Sequence, residues 1–194
     1  MNKRILIGLL LAVAGCLAVL AASTHPSRAQ DRPSRVSIQG TVVGIGGRYS
    51  GRTRPFRLNI ARYTSPEEVQ QLNAAMQSGG QEELLRVLSR MNAGMIAVGN
   101  GVGVPANAII RTPAEVGARI VVLYQRNVSF FELRAGARSA DYRFGYAEII
   151  LDASGRGEGT FIPAAKVRLR DDGRWEVEDF GEFPARLMGM RLRS

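Results

Sequence analysis

"KVRLRDDGRWEVE", residues 166–178, alternates apolar and charged side chains on both sides of an acidic, glycine-ended turn. A two-residue turn at Asp172-Gly173 sets Leu169 opposite Glu176 and mixes core with solvent. A three-residue loop, Asp171-Asp172-Gly173, sets Leu169 opposite Trp175 and Val167 opposite Val177. The other face then pairs Arg168 with Glu176 and Lys166 with Glu178. Gly173 supplies the left-handed residue this loop requires. Opposite charges across strands stabilise by roughly 0.2–1 kcal/mol a pair, and a slip of one residue would turn every side chain over. The segment therefore predicts an antiparallel hairpin of known sidedness.

The preceding stretch repeats the pattern around Ser154-Gly155-Arg156-Gly157-Glu158-Gly159. Strands over 142–152 and 160–170, centred on Arg156, pair Leu151 with Phe161 and Ala147 with Ala165. The opposite face places Tyr146 beside Lys166, Phe144 beside Arg168 and Tyr142 beside Arg170. Left open, those six residues make an aromatic–cationic stripe suited to sugars, anionic glycans or lipid headgroups through stacking and cation–π contact. Covered, the three aromatics belong to a core and the cations reach its rim. Coverage is favoured, because large exposed apolar patches are uncommon on soluble proteins.

Further strands are predicted over 36–43, 56–63, 95–98, 108–111, 119–124, 128–133, 175–179 and 186–192, from alternation and β-branched residues. Ser65-Pro66-Glu67-Glu68 reads as a helix start with a capping box. Val69, Leu72 and Met76 share one face of that helix, and Gly79-Gly80 stops it. A second helix over 81–91 carries Leu84, Leu85, Leu88 and Met91 on one stripe. Two short helices joined by Gly-Gly predict an αα-hairpin laid on the sheet. No βαβ alternation is present. The expected fold class is α+β: a mainly antiparallel, barrel-like sheet with one αα-hairpin packed on it, as a single domain over 36–194.

Residues 1–35 read as an address and a lead-in. Lys3 and Arg4 precede an uncharged apolar stretch, 5–22, and a small-residue, polar stretch follows. This is the order of an export signal, with cleavage after Ala29 and a disordered lead-in over 30–35. The alternatives are an uncleaved membrane anchor over 5–22 and lipidation at Cys16 within Val13-Ala14-Gly15-Cys16. The expected location is periplasmic or secreted, with membrane attachment only if the leader is retained or lipidated. Removing residues 1–29 lowers the basic count from 26 to 23, against 17 acidic residues, for a net charge of +6.

Cys16 and His25 are the chain's only cysteine and histidine. Beyond them, Ser-His-Asp triads, cysteine nucleophiles and His/Cys metal or haem sites are excluded. What remains is carboxylate chemistry, a Ser–Lys pair using Lys166, or hard-metal binding by oxygen. Lys166 lacks a Ser-x-x-Lys context, and Glu148, Glu158, Glu176 and Glu178 offer acids without a chosen pair. Asp152-x-Ser154-x-Arg156-x-Glu158 spaces oxygens as a calcium loop does, but a glycine-rich turn explains it better. The glycines of "VGNGVGVPAN", 98–107, likewise read as a turn. The arginines form no run and no recognition motif, so nucleic acid is not the expected partner. No cofactor, metal or catalytic residue is expected.

The stretch 141–170, "DYRFGYAEIILDASGRGEGTFIPAAKVRLR", resembles the C-terminal part of a set of exported bacterial proteins. These have a signal peptide, a central helical hairpin and a hairpin reading G-x-G-E-G-T, here Gly155 to Thr160. The resemblance implies an exported α+β domain and assigns no activity and no functional residue. The expected role is a non-catalytic envelope protein that binds a partner: another envelope protein, an anionic glycan or a lipid. The alternatives are a carrier of an apolar or amphipathic ligand held between helices and sheet, and a carboxylate-based hydrolase.

Overall fold

The computed structural model describes residues 36–45, 50–126, 141–170, 175–179 and 185–194. The leader 1–29 with its cleavage point after Ala29, Cys16, the apolar stretch 5–22, the lead-in 30–35, the strand expected at 128–133 and the loop 171–173 lie outside the described residues. The described elements run, in order, β1 (Val36–Val43), β2 (Thr53–Ile60), α1 (Pro66–Leu88), β3 (Gly94–Val98), β4 (Val104–Ala106), β5 (Ala108–Ala114), β6 (Gly117–Gln125), β7 (Phe144–Leu151), β8 (Arg156–Leu169), β9 (Trp175–Asp179) and β10 (Ala185–Arg193).

Every strand pairing is antiparallel, in the order β4-β3-β2-β1-β10-β8-β7-β6-β5, with β9 added to β8. The sheet curls into a nearly closed barrel. Alternation explains its inside: Ile38 and Val42 of β1, Phe56, Leu58 and Ile60 of β2, Ile120, Val122 and Tyr124 of β6, and Ala147, Ile149 and Leu151 of β7 form one buried cluster. Arg57 and Asn59, between the buried residues of β2, are exposed. Leu187 and Met190 join the same cluster from β10.

The seam falls between the free edge of β5 and the chain leaving β2. Pairing with β6 leaves the backbone groups of Ile109 facing that edge, and Thr64 meets both of them. The Ile109 N–H donates to Thr64 Oγ1 at 2.8 Å, and the Thr64 N–H donates to the Ile109 carbonyl at 2.8 Å. Between β4 and β5, Asn107 donates to the Met91 carbonyl at 3.0 Å and accepts the Gln125 N–H at 2.8 Å. Both side chains are buried, as polar groups are when fully hydrogen-bonded.

A second layer lies outside the barrel. Leu72, Met76, Leu84, Leu85 and Leu88 of α1 pack on Ala108, Leu123, Phe144, Ile162, Ala165 and Val167. The expected αα-hairpin is not formed. The helical span is a single segment, Pro66–Leu88, in which only Gly80 leaves helical geometry, at φ 60° and ψ −145°. A hairpin needs a loop of several residues to reverse direction. A kink at one glycine instead lets both halves bury leucines on the same sheet face. The capping box is present: Ser65 Oγ accepts the Glu68 N–H, and Glu68 Oε2 accepts the Ser65 N–H.

The 166–178 hairpin has the expected register, with Leu169 opposite Trp175, Val167 opposite Val177, Arg168 opposite Glu176 and Lys166 opposite Glu178. The β7–β8 hairpin does not. Leu151 pairs with Gly157 and Ala147 with Phe161, a register four residues tighter than one centred on Arg156. The loop is residues 153–155, and Gly155 at φ 72° is its left-handed residue. Asp152 secures it: its Oδ1 accepts from the Ser154 N–H, the Ser154 hydroxyl and the Arg156 N–H. The stretch 152–158 is thus the glycine-rich hairpin turn expected in preference to a calcium loop. Further along, the register shifts between the Phe144–Ala165 and Tyr146–Ile162 pairs. That bulge turns β8 over, so Phe161 faces the barrel interior while Ala165 and Val167 face α1.

Candidate functional site

Strand β6 is apolar on both faces. Ile120, Val122 and Tyr124 point into the barrel, leaving Arg119, Val121 and Leu123 on the outside. The second half of α1 covers the upper part of that outer face. Lower down, a groove of about 580 Å³ remains between three walls. Its floor is Ile110, Thr112, Arg119, Val121, Leu123 and Tyr146 of β5, β6 and β7. Val69, Leu72 and Asn73 of α1 form one side, and Val167, Trp175 and Val177 of the β8–β9 hairpin form the other. The two sides are joined where the Trp175 Nε1–H donates to Asn73 Oδ1 at 2.6 Å. The volume lies within the range of small-molecule sites.

One end of the floor is polar. The Tyr146 hydroxyl donates to Glu148 Oε2 at 2.9 Å, and Arg119 Nε lies 2.6 Å from Glu148 Oε1. Burial, reinforced by the Glu148 charge, pushes the Tyr146 hydroxyl well above the ordinary tyrosine range, so it remains a donor. The Arg119 side chain is half-exposed, and its five N–H donors exceed what Glu148 and Tyr146 take up. Because Glu148 balances the arginine, this end offers hydrogen bonds without a net charge. Among the described residues, those lining the groove include no carboxylate. Among the described residues, no three His, Cys, Asp or Glu side chains stand together as a metal site.

The six residues of the expected stripe are placed differently from one another. Phe144 is fully buried beneath α1, and Tyr142 is buried as well. The tighter register and the β8 bulge remove the pairings that aligned them with Arg168 and Arg170: Phe144 lies opposite Ala165 and Tyr146 opposite Ile162. No continuous open stripe results. One contact of the expected kind is formed, with Lys166 Nζ 4.7 Å above the Tyr142 ring. The Tyr142 hydroxyl donates to Glu178 Oε1 at 2.8 Å, and Arg168 reaches Glu178 Oε2 at 2.6 Å. Arg168 therefore bonds Glu178, diagonal to it, while Lys166 lies 3.9 Å from Asp141. Arg170 is exposed just beyond β8.

Of the six, only Tyr146 lines the groove. Sequence reading missed Arg119, Val121, Leu123, Asn73 and Trp175 as a set. The signal available was the run "RIVVLY", 119–124, whose apolar residues fall on both faces of one strand. Such a strand is covered on both sides, and one side of it lies outside the barrel.

Among the described residues, no helix is long and apolar enough to cross a membrane. No known family, no curated protein and no solved structure matches this chain.

Proposed function

We propose that this chain is a non-catalytic carrier, holding an amphipathic ligand in the groove between α1, the β8–β9 hairpin and the outer face of β5–β7. The observation that carries the reading is the groove itself, an apolar trough of about 580 Å³ at whose polar end Arg119 is balanced by Glu148. The ligand has an aliphatic or aromatic body lying along Leu72, Val121, Leu123, Val167 and Trp175. Its head is polar and uncharged, and accepts hydrogen bonds at the Arg119 and Thr112 end. A charged head is disfavoured because Glu148 already compensates Arg119. Export, for which residues 1–29 carry the ordered positive, apolar and polar stretches, goes with this reading.

Trp175 is the chain's only tryptophan and lines the groove, so its emission reports occupancy. Titration with a monoacylglycerol of about twelve carbons should give a saturable emission shift, and the matching fatty carboxylate should bind at least about fivefold more weakly. Val121→Phe fills the trough with a ring. It should weaken the monoacylglycerol by at least about tenfold while the circular dichroism spectrum and melting temperature stay unchanged. A Trp175 signal that never saturates, or a V121F variant that binds as the parent does, overturns the reading.

A further inference from the structure

Glutamates are paired with arginines on one side of the barrel, while a neighbouring face carries arginines, with exposed Glu158 of β8 at its border beside β10. Glu68, Glu83, Glu148 and Glu178 pair with arginines on the side that bears α1 and β7–β9. The adjoining strands β1, β2 and β10 contain no aspartate or glutamate. On their outward face, Arg57 lies opposite Gln39, which lies opposite Arg191. On one side the next row is Asn59, Ser37 and Arg193; on the other, Thr53, Val43 and Arg186 line up beyond the row of Pro55, Thr41 and Met188. All four arginines are exposed. None of the four has an ion-pair partner among the described residues.

We infer that this β2–β1–β10 face docks on the surface of an anionic lipid bilayer. The inference is independent of what the groove binds. Charge complementarity identifies an anion, and three further features select a membrane. The arginines project from β2 and β10, which flank β1 and so stand about 10 Å apart, and together they meet an extended plane. Exposed Met188 lies on this outward face between Arg186 and Arg191. Apolar side chains among cations gain from the headgroup and acyl boundary, whereas a soluble polyanion offers them nothing. The one aromatic residue in these strands, Phe56, is buried in the barrel. Among the described residues, the face therefore lacks the stacking platform used for sugars and nucleic-acid bases.

The test uses the full chain and sedimentation with phosphatidylcholine vesicles, with and without about 30 mol% phosphatidylglycerol. Neutral vesicles measure whatever the apolar residues 5–22 contribute on their own. The parent chain should bind the anionic vesicles at least about tenfold better than the neutral ones, and the excess should fall as salt rises from about 0.05 to 0.5 M. Each arginine close to such a surface is worth about fivefold in affinity, so Arg57→Gln, Arg191→Gln and Arg193→Gln together should remove most of a roughly hundredfold gain. A charge-matched control, Arg90→Gln, Arg111→Gln and Arg143→Gln, should lose less than about threefold, with both triple variants melting as cooperatively as the parent. The inference fails if the two triple variants lose equally, because net charge alone then suffices. It also fails if the parent shows no excess binding to anionic vesicles but binds heparin through the same three arginines, which would make the partner a soluble polyanion.

Discussion

At the scale of single residues, Glu68 does the most with one side chain. Its carboxylate receives Arg62 Nη1 at 2.6 Å and Nη2 at 2.7 Å, and also accepts the Ser65 N–H that opens α1. The Arg62 guanidinium first, and that N–H second, hold the carboxyl down to about 2, against an ordinary value of 4.5. The folded value lies below the unfolded one, so the contribution is complete above pH 4.5 and is lost as pH falls toward 2. Glu68→Ala should therefore cost about 1 kcal/mol at neutral pH, the usual worth of a helix cap. The gap between variant and parent melting temperatures should narrow through that acid window. A gap that stays constant from pH 7 to pH 2 would mean the carboxylate charge contributes nothing to α1.

Among the elements, α1 depends on Gly80. Its backbone sits at φ 60° and ψ −145°, close to a region essentially reserved for glycine. A Cβ built there meets no atom within 4 Å, so the cost of Gly80→Ala is conformational alone, about 1–3 kcal/mol. Gly101→Ala, equally open but without a positive φ, should be neutral by the same denaturant titration. Equal losses at the two positions would show that the kink is not what Gly80 provides. The elements also mark where the sequence was readable. In 166–178 one register satisfied two apolar pairs, two charge pairs and a glycine together, and that register is present. In 154–159 three glycines compete for the left-handed position, and charge pairs do not arbitrate; Gly155 takes it rather than the centre at Arg156. Gly79-Gly80 announced a break in the helix but not its angle, since a kink and a reversal use the same residues. The groove was hidden for a related reason. Its walls come from segments far apart in sequence, as in the contact between Asn73 and Trp175, and only the two-sided apolar pattern of β6 hinted at it.

For the whole molecule, two packed layers share strands: β5, β6, β7 and β8 each give residues to both. Strand β8 gives Phe161 to the barrel interior and Val167 to the layer beneath α1, so neither layer can come apart without disturbing the other. The barrel's near-closure rests on the same economy, because Thr64, which meets both backbone groups of Ile109, immediately precedes the Ser65 cap of α1. Thr64→Val keeps the shape and leaves the Ile109 N–H buried without an acceptor, which should cost about 1–3 kcal/mol in unfolding free energy. A loss below about 0.5 kcal/mol would remove Thr64 from that role. The clasp also ties two clocks together. A helix that frays at its first turn takes Thr64 with it and exposes the rim of β5 to water. In deuterium oxide the amide proton of Ile109 should therefore be traded for solvent at the pace of the leading turn of α1, while those of β6, held between two neighbours, wait for the barrel to open as a whole.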